Sequence, residues 1–341
     1  MLAGDAQQQA TAEALRRALA RRSGHDGEVR ALRRLTGGAT KQTWRFDWVS
    51  AGGVEPLVLQ QIPAPVPGAA GVPKLRAAHE AALMTAAREA GAPAPRVRLV
   101  LEADDGLGEG HVTAWVEGET LGRRIVRDAG FAVARARMAR QCGEILAAIH
   151  RVPLAPLAFL HTLSPAQELA QYGELLAQCG LTRHAALAWS LRWVEEHLPG
   201  ESQHALVHSD FRTGNLIVGP EGVRCVLDWE IARIGDPMQD LGVLCLRSWR
   251  FGGAGEVGGF GAREELYAAY EAASGQPVDR ERVRFWEAFS NLKWAIACAR
   301  RGLATRPDGR PASLELAAVG RRMEEPLWDL MTLAAPQEHT R

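Results

Sequence analysis

The chain has 341 residues with 40 basic and 40 acidic side chains, a formal net charge of zero. That balance argues against binding to nucleic acid or a membrane surface through bulk charge, while the length suffices for two lobes with separate cores. The five cysteines, Cys142, Cys179, Cys225, Cys245 and Cys298, are scattered, odd in number and without metal-site spacing. They suit a reduced compartment, and with no signal-peptide core or bilayer-length apolar run the expected location is cytoplasmic.

Residues 7–22 read as a helix with Ala14, Leu15, Ala18 and Leu19 on one face. Strand-like runs at 31–36 and 43–49 flank Gly37-Gly38-Ala39-Thr40-Lys41-Gln42, giving a strand, glycine turn, strand unit. A further strand is expected at Pro56–Gln60. The Pro, Gly and Ala-rich stretch 63–73 reads as a connector, and 75–90 as a helix carrying Glu80. His111–Val116 reads as a strand and Glu117-Gly118-Glu119 as a hinge. Beyond it the chain is mainly helical, at 120–150, 164–178, 183–197, 236–248, 262–273, 281–302 and 312–333. Trp189, Trp193, Trp286, Trp294 and Trp328 are expected in the helical core.

One segment interrupts the helices. His208-Ser209-Asp210-Phe211-Arg212-Thr213-Gly214-Asn215 is followed by two β-branched runs around a Gly/Pro turn, then by Asp228-Trp229-Glu230. The order Asp, Asn five residues on, and Asp at a strand end matches base, metal ligand and metal ligand in phosphoryl transfer. Magnesium takes hard oxygen donors and keeps several waters, so one carboxylate and one amide carbonyl suffice from the protein. Asp210 would accept the acceptor hydroxyl's proton, and Asn215 and Asp228 would hold the metal. If the turn centres between Pro220 and Glu221, strand alternation puts Asn215 and Asp228 on one face. His208 is expected to be a packed structural histidine. Asp236-Pro237 is expected to cap a helix that carries Asp240 in its first turn.

These motifs, with Gly235-Asp236-Pro237-Met238-Gln239-Asp240-Leu241-Gly242 and Ser248-Trp249-Arg250-Phe251-Gly252, resemble the aminoglycoside phosphotransferase-like small-molecule kinases. The resembling branch is the one related to kinase domains fused to acyl-CoA dehydrogenases. The resemblance implies an α+β, two-lobed protein-kinase-like fold, with a small β-rich nucleotide lobe at 1–117 and a larger, mainly helical catalytic and substrate lobe at 118–341. It implies ATP and Mg²⁺ in a cleft between 37–117 and 208–230. Gly37, Gly38 and Lys41 would lie over the phosphates, Glu80 would mark the regulatory-type helix, and Thr113, Ala114 and Val116 would meet the adenine. Asp240 would brace backbone donors of the catalytic loop.

One position departs from that pattern. Where such kinases carry a basic residue for the α- and β-phosphates, this chain has Gln60. A neutral amide contributes no unit charge, a difference of a few kcal/mol in a dry site. Three explanations stay open: Lys41 or Lys74 supplies the charge, nucleotide binding is weak, or the chain is a pseudokinase that binds without turnover. For the acceptor, Arg212, Arg233, Arg247 and Arg250, with Glu230 and Lys293, are the candidate contacts. They point to a hydroxyl on a small anionic metabolite, by resemblance a hydroxyacyl-CoA. An aminoglycoside is the alternative, disfavoured by the lack of an acidic run. The sequence specifies neither the acceptor nor an oligomeric state.

Overall fold

The structure, a computed structural model, describes residues 2–35, 41–62, 74–201, 203–306 and 308–335, with side chains from residue 7. Gly37 and Gly38 of the glycine turn lie outside the described residues. The chain divides into two compact units, Met1–Gly118 with Arg224–Ile231, and Glu119–Val223 with Ala232–Arg341.

The first unit begins with α1 (Leu2–Ser23), β1 (Gly27–Leu35), β2 (Gln42–Ser50) and β3 (Gly53–Gln61). It continues with α2 (Ala77–Glu89), β4 (Val97–Val100) and β5 (Gly110–Ala114). The five strands form one antiparallel sheet in the order β1-β2-β3-β5-β4. Strand alternation explains how the sheet is used. Trp44, Phe46, Leu57, Leu59 and Val112 project to one face and are buried with Ala14, Leu15, Ala18 and Leu19 of α1. Opposite residues on paired strands share a face, so Thr43 with Gln60, and Gln60 with His111, lie on the other one. Lys41, two residues before Thr43, continues that second face. Helix α2 buries the stripe Ala77, Glu80, Ala81, Leu83, Met84 and Ala87, in which Glu80 is the one ionisable member.

The second unit holds α3 (Gly122–Arg127), α4 (Ala132–His150), α5 (Pro165–Gln178) and α6 (Ala185–Glu196). The short strands β6 (Ala205–Val207), β7 (Leu216–Gly219), β8 (Gly222–Val226, whose end runs into the first unit) and β9 (Arg233–Gly235) follow. Then come α7 (Met238–Cys245), α8 (Arg263–Ser274), α9 (Arg280–Gly302), α10 (Leu314–Arg321) and α11 (Glu324–Ala334). Strands β6 and β9 pair antiparallel with Val207 opposite Arg233, and β7 with β8 form a hairpin joined by Pro220-Glu221. Helix α9 is the hub, burying Phe285, Trp286, Phe289 and Leu292. No helix among the described residues is long and apolar enough to cross a membrane.

Several expectations are corrected. The helix expected at 120–150 breaks at Asp128, and the one at 312–333 breaks after Arg321. The strand expected through Val116 ends at Ala114. Three short strands, β4, β6 and β9, were not anticipated, because three or four residues carry too little alternation to read. Trp286 is 1% exposed as expected of core, but Trp189 is 46% and Trp328 68% exposed. Lys293 sits inside the second unit, with its Nζ 2.9 Å from Glu168 Oε1 and 4.9 Å from the Phe289 ring centroid.

That lysine belongs to a buried ionic cluster. Arg233 Nη2 lies 2.5 Å from Glu168 Oε2 and 2.6 Å from Gln239 Oε1, so two cations share one carboxylate. Burial pushes the Lys293 ammonium down to about 8, against the attraction of Glu168. Burial works against the charge on Glu168 too, but its two cations hold it below the ordinary carboxylate value. Glu168→Gln leaves two buried cations uncompensated, and urea denaturation is expected to show a loss of about 3–5 kcal/mol. Lys293→Met leaves the Arg233–Glu168 pair intact, and its expected cost is under about 1.5 kcal/mol.

Candidate active site

In the second unit the loop after β6 begins with a strained turn. Ser209 has φ +70°, a left-handed conformation that costs a non-glycine residue about 1–2 kcal/mol. Asp240 of α7, fully buried, holds that turn: its Oδ2 accepts from the His208 N–H and its Oδ1 from the Ser209 N–H, both at 2.8 Å. His150 Nε2 lies 3.2 Å from the same Oδ2, and Tyr270 Oη lies 2.9 Å from His150 Nδ1. Burial opposes the Asp240 charge, but the bonds from His150 and the His208 backbone hold its carboxyl below the ordinary value. Asp236 Oδ1 accepts from Met238 N–H at 3.0 Å, so it caps α7, though the helix begins one residue later than Pro237 at its first turn would give.

Asp210 follows the pinned turn and keeps both carboxylate oxygens in contact with neighbours. Arg212 Nε donates to Oδ1 at 2.9 Å, and Asn215 Nδ2 donates to Oδ2 at 2.7 Å and to the Asp210 carbonyl at 2.9 Å. With its amide nitrogen so engaged, Asn215 has its carbonyl oxygen as the group suited to a hard cation. A Cβ at Gly214 would displace the tip of Arg212, 2.5 Å from its Nη1. His208 is fully buried, its Nδ1 accepting from the Asp210 N–H at 3.3 Å, a structural part.

The first unit contains the second cluster. Lys41 Nζ lies 2.6 Å from Glu80 Oε1, 3.5 Å from Glu230 Oε2 and 3.8 Å from Asp228 Oδ1, with its side chain 6% exposed. Lys74 Nζ adds a second cation to Glu230, 2.6 Å from Oε1. Burial alone would lower the Lys41 ammonium, but three carboxylates outweigh it and raise it. Asp228, at φ +66°, is 37% exposed in its side chain, the most open of the three carboxylates. Gln60 faces His111, with 3.1 Å between Gln60 Oε1 and His111 Nε2. Burial, with Lys41 adding to it, pushes the His111 imidazole down to about 4.

The sequence-derived residues are therefore brought together in two groups, Asp210, Arg212 and Asn215 in one unit and Lys41, Glu80, Asp228 and Glu230 in the other. Asn215 lies in a single 3-10 turn and Asp228 beyond the end of β8, so strand alternation does not govern either side chain. Glu230, expected at the acceptor, sits against the two lysines. Arg233 is consumed by Glu168, and Arg250 Nη2 donates to the Cys245 carbonyl at 3.0 Å. Arg247 is 72% exposed in its side chain, 3.6 Å from Asp329. Thr113 is buried in β5 opposite Val58, and Ala114 N–H donates to the Arg96 carbonyl at 2.9 Å. His111 escaped sequence reasoning; its signal was a polar residue directly opposite Gln60, visible only once the register is known.

A family model described as the phosphotransferase enzyme family matches residues 31–286. Acyl-CoA dehydrogenase family member 10 of Mus musculus is 31% identical over 159 residues, 42% of this chain but 14% of that relative's own length. Among solved structures, a candidate aminoglycoside phosphotransferase from Ralstonia eutropha JMP134 superposes with a TM-score of 0.71 at 22% identity, covering 95% of this chain and 99% of that one. A spectinomycin phosphotransferase in complex with ADP and spectinomycin gives a TM-score of 0.63 at 15% identity, covering 94% and 98%. At these identities the structural likeness shows the fold.

The His111 environment sets an acid response. Its folded value of about 4 lies below the free value of 6.5, so the unfolded chain binds the extra proton first as pH falls. Stability associated with His111 is full above about pH 6.5 and is lost on descending to about 4. Urea denaturation at pH 7 and pH 4.5 should show His111→Gln losing about 2–3 kcal/mol less than wild type over that interval.

Proposed function

The chain belongs to the phosphotransferase enzyme family; from that premise we propose that it moves the γ-phosphoryl group of magnesium-bound ATP to a hydroxyl group of a small molecule. In this reading Asp210 orients the acceptor hydroxyl and takes its proton, with Arg212 and Asn215 holding the carboxylate in place. Asn215 through its amide oxygen and Asp228 through its carboxylate are the magnesium-binding groups. The ion, when bound, neutralises charge on the β- and γ-oxygens. The donor set fits it: an amide carbonyl oxygen and a carboxylate, both hard oxygen donors, with the Asp228 side chain 37% exposed.

The observation that carries the reading is the Lys41–Glu80 pair at 2.6 Å. Among kinases this pairing of a basic residue with a helix carboxylate orients the ammonium for the phosphates. Here Gln60 cannot form it, and Lys41, on the same sheet face one strand away, does. That supports a working nucleotide site over weak binding or a pseudokinase, and it makes Lys41 rather than Lys74 the substitute, since Lys74 is 42% exposed and bonded to Glu230. For the acceptor, the relative with an acyl-CoA dehydrogenase name and the arginines Arg212 and Arg247 favour a hydroxyacyl-CoA or related anionic compound as the first class to screen.

Calorimetric titration with ATP, with and without Mg²⁺, tests the proposal. Wild type is expected to bind in a magnesium-dependent way, and Asp228→Asn to lose that dependence. Lys41→Ala should weaken binding at least about ten-fold, about 1.5–3 kcal/mol, because a charge-assisted contact is removed. Unchanged ATP affinity in Lys41→Ala would reject the substitution of Lys41 for the missing basic residue, and no ATP binding by wild type would reject the kinase reading.

A further inference from the structure

A cavity of about 640 Å³ opens in the second unit beside the Arg247–Gly252 segment and the first half of α11, within the size range of small-molecule sites. Its walls include Trp249, Phe251 and Trp328. Trp249 connects it to the catalytic loop, because the Arg212 guanidinium carbon lies 4.6 Å over the Trp249 ring while Arg212 Nε lies 2.9 Å from Asp210 Oδ1. A single guanidinium thus separates the cavity wall from the carboxylate assigned as base.

The wall is locked to that loop. Phe251 has φ +48°, a strained conformation for an aromatic residue, and its ring lies where a side chain on Gly122 would be. A Cβ on Gly122 would sit 2.5 Å from the Phe251 ring. Thr213 Oγ1 donates to the Gly258 carbonyl at 2.8 Å, a second tie between the loop and the segment following Phe251. Strain held against a loop is retained where surrounding structure imposes it, and here it keeps the cavity wall next to the Arg212 guanidinium that meets Asp210.

The lining also specifies an occupant. Trp328 leaves 68% of its surface in water although it packs at the cavity, an unfavourable exposure that a flat apolar ligand would remove. Each carboxylate in the lining already faces a guanidinium: Arg322 Nη2 lies 3.0 Å from Glu325 Oε2, and Arg247 Nη1 lies 3.6 Å from Asp329 Oδ1. A polycation would find no uncompensated carboxylate there. Ser248 Oγ is buried beside the cavity without a hydrogen-bond partner among the described residues, one neutral polar contact in a wall of three aromatic rings and two ion pairs.

We propose that this cavity is the acceptor subsite and that it takes an alcohol built on a flat, apolar body with no net positive charge, held at Trp249 and Trp328 with its hydroxyl at Asp210. This rests on the phosphotransferase reading above and adds the acceptor's chemical class and location. In the transfer, the hydroxyl oxygen bonds to the γ-phosphorus as that phosphorus separates from the β,γ-bridging oxygen. The bridging oxygen leaves with ADP, and the hydroxyl proton passes to Asp210 and then to water.

The test uses 2-naphthylmethanol as a flat uncharged probe and kanamycin as a polycationic one, with ADP release measured for wild type, Trp328→Ala and Trp328→Phe. Trp328 is exposed, so both variants are expected to fold. The naphthyl alcohol should be phosphorylated in preference to kanamycin, its KM should rise about ten-fold or more in Trp328→Ala with kcat changing less than about two-fold, and Trp328→Phe should restore KM to within about three-fold. A KM unchanged in Trp328→Ala, or kanamycin as the better acceptor, overturns the subsite while the kinase reading stands. Failure of wild type to bind magnesium and ATP in calorimetry overturns both.

Discussion

A single ammonium among carboxylates governs the interior of the first unit. Glu80 is buried on the apolar stripe of α2, where an unpaired carboxylate would cost several kcal/mol, and Lys41 is the cation that makes its burial tolerable. The residues packed on α1 occupy one face of the sheet and Gln60 and His111 the other, and Lys41, just before β2, reaches Glu80. Burial, with the Lys41 charge adding to it, disfavours charge on His111, whose imidazole stays neutral at ordinary pH.

The second unit solves a different problem, holding a loop in an unfavourable backbone conformation. Ser209 and Phe251 both have positive φ, and each is over-determined by its surroundings. Two bonds to the buried Asp240 carboxylate hold the first, and charge-assisted bonds of this kind are stronger than neutral ones. Close packing of its ring against Gly122 holds the second. Between them, Arg212 and Asn215 fix both oxygens of Asp210, so the carboxylate is oriented before any substrate arrives.

Burial sorts residues that are chemically alike. Arg233 and Arg212 are both near the catalytic loop in sequence, yet one neutralises Glu168 in the core while the other stacks on Trp249 and meets Asp210. Trp286 and Trp328 belong to helical stripes of similar composition, yet one is core and the other faces the cavity. Side-chain type indicates what a residue can do, and its partners decide which of those roles it takes.

The sequence by itself determined the family signature, the α+β class, the apolar face of α1 and the order in which Asp210, Asn215 and Asp228 follow one another, because each is a local pattern of spacing and residue type. It also exposed the absence of a basic residue at Gln60, leaving Lys41 or Lys74 as a substitute. Tertiary structure shows what spacing could not, that Lys41 lies 2.6 Å from Glu80 while Lys74 meets Glu230. It likewise revealed the Glu168 cluster, the His111–Gln60 contact and the exposure of Trp328, which depend on residues 51 to 125 positions apart or on what a helix leaves uncovered. Periodicity along a chain reports which face is apolar; the identity of the neighbour across that face is a property of packing alone.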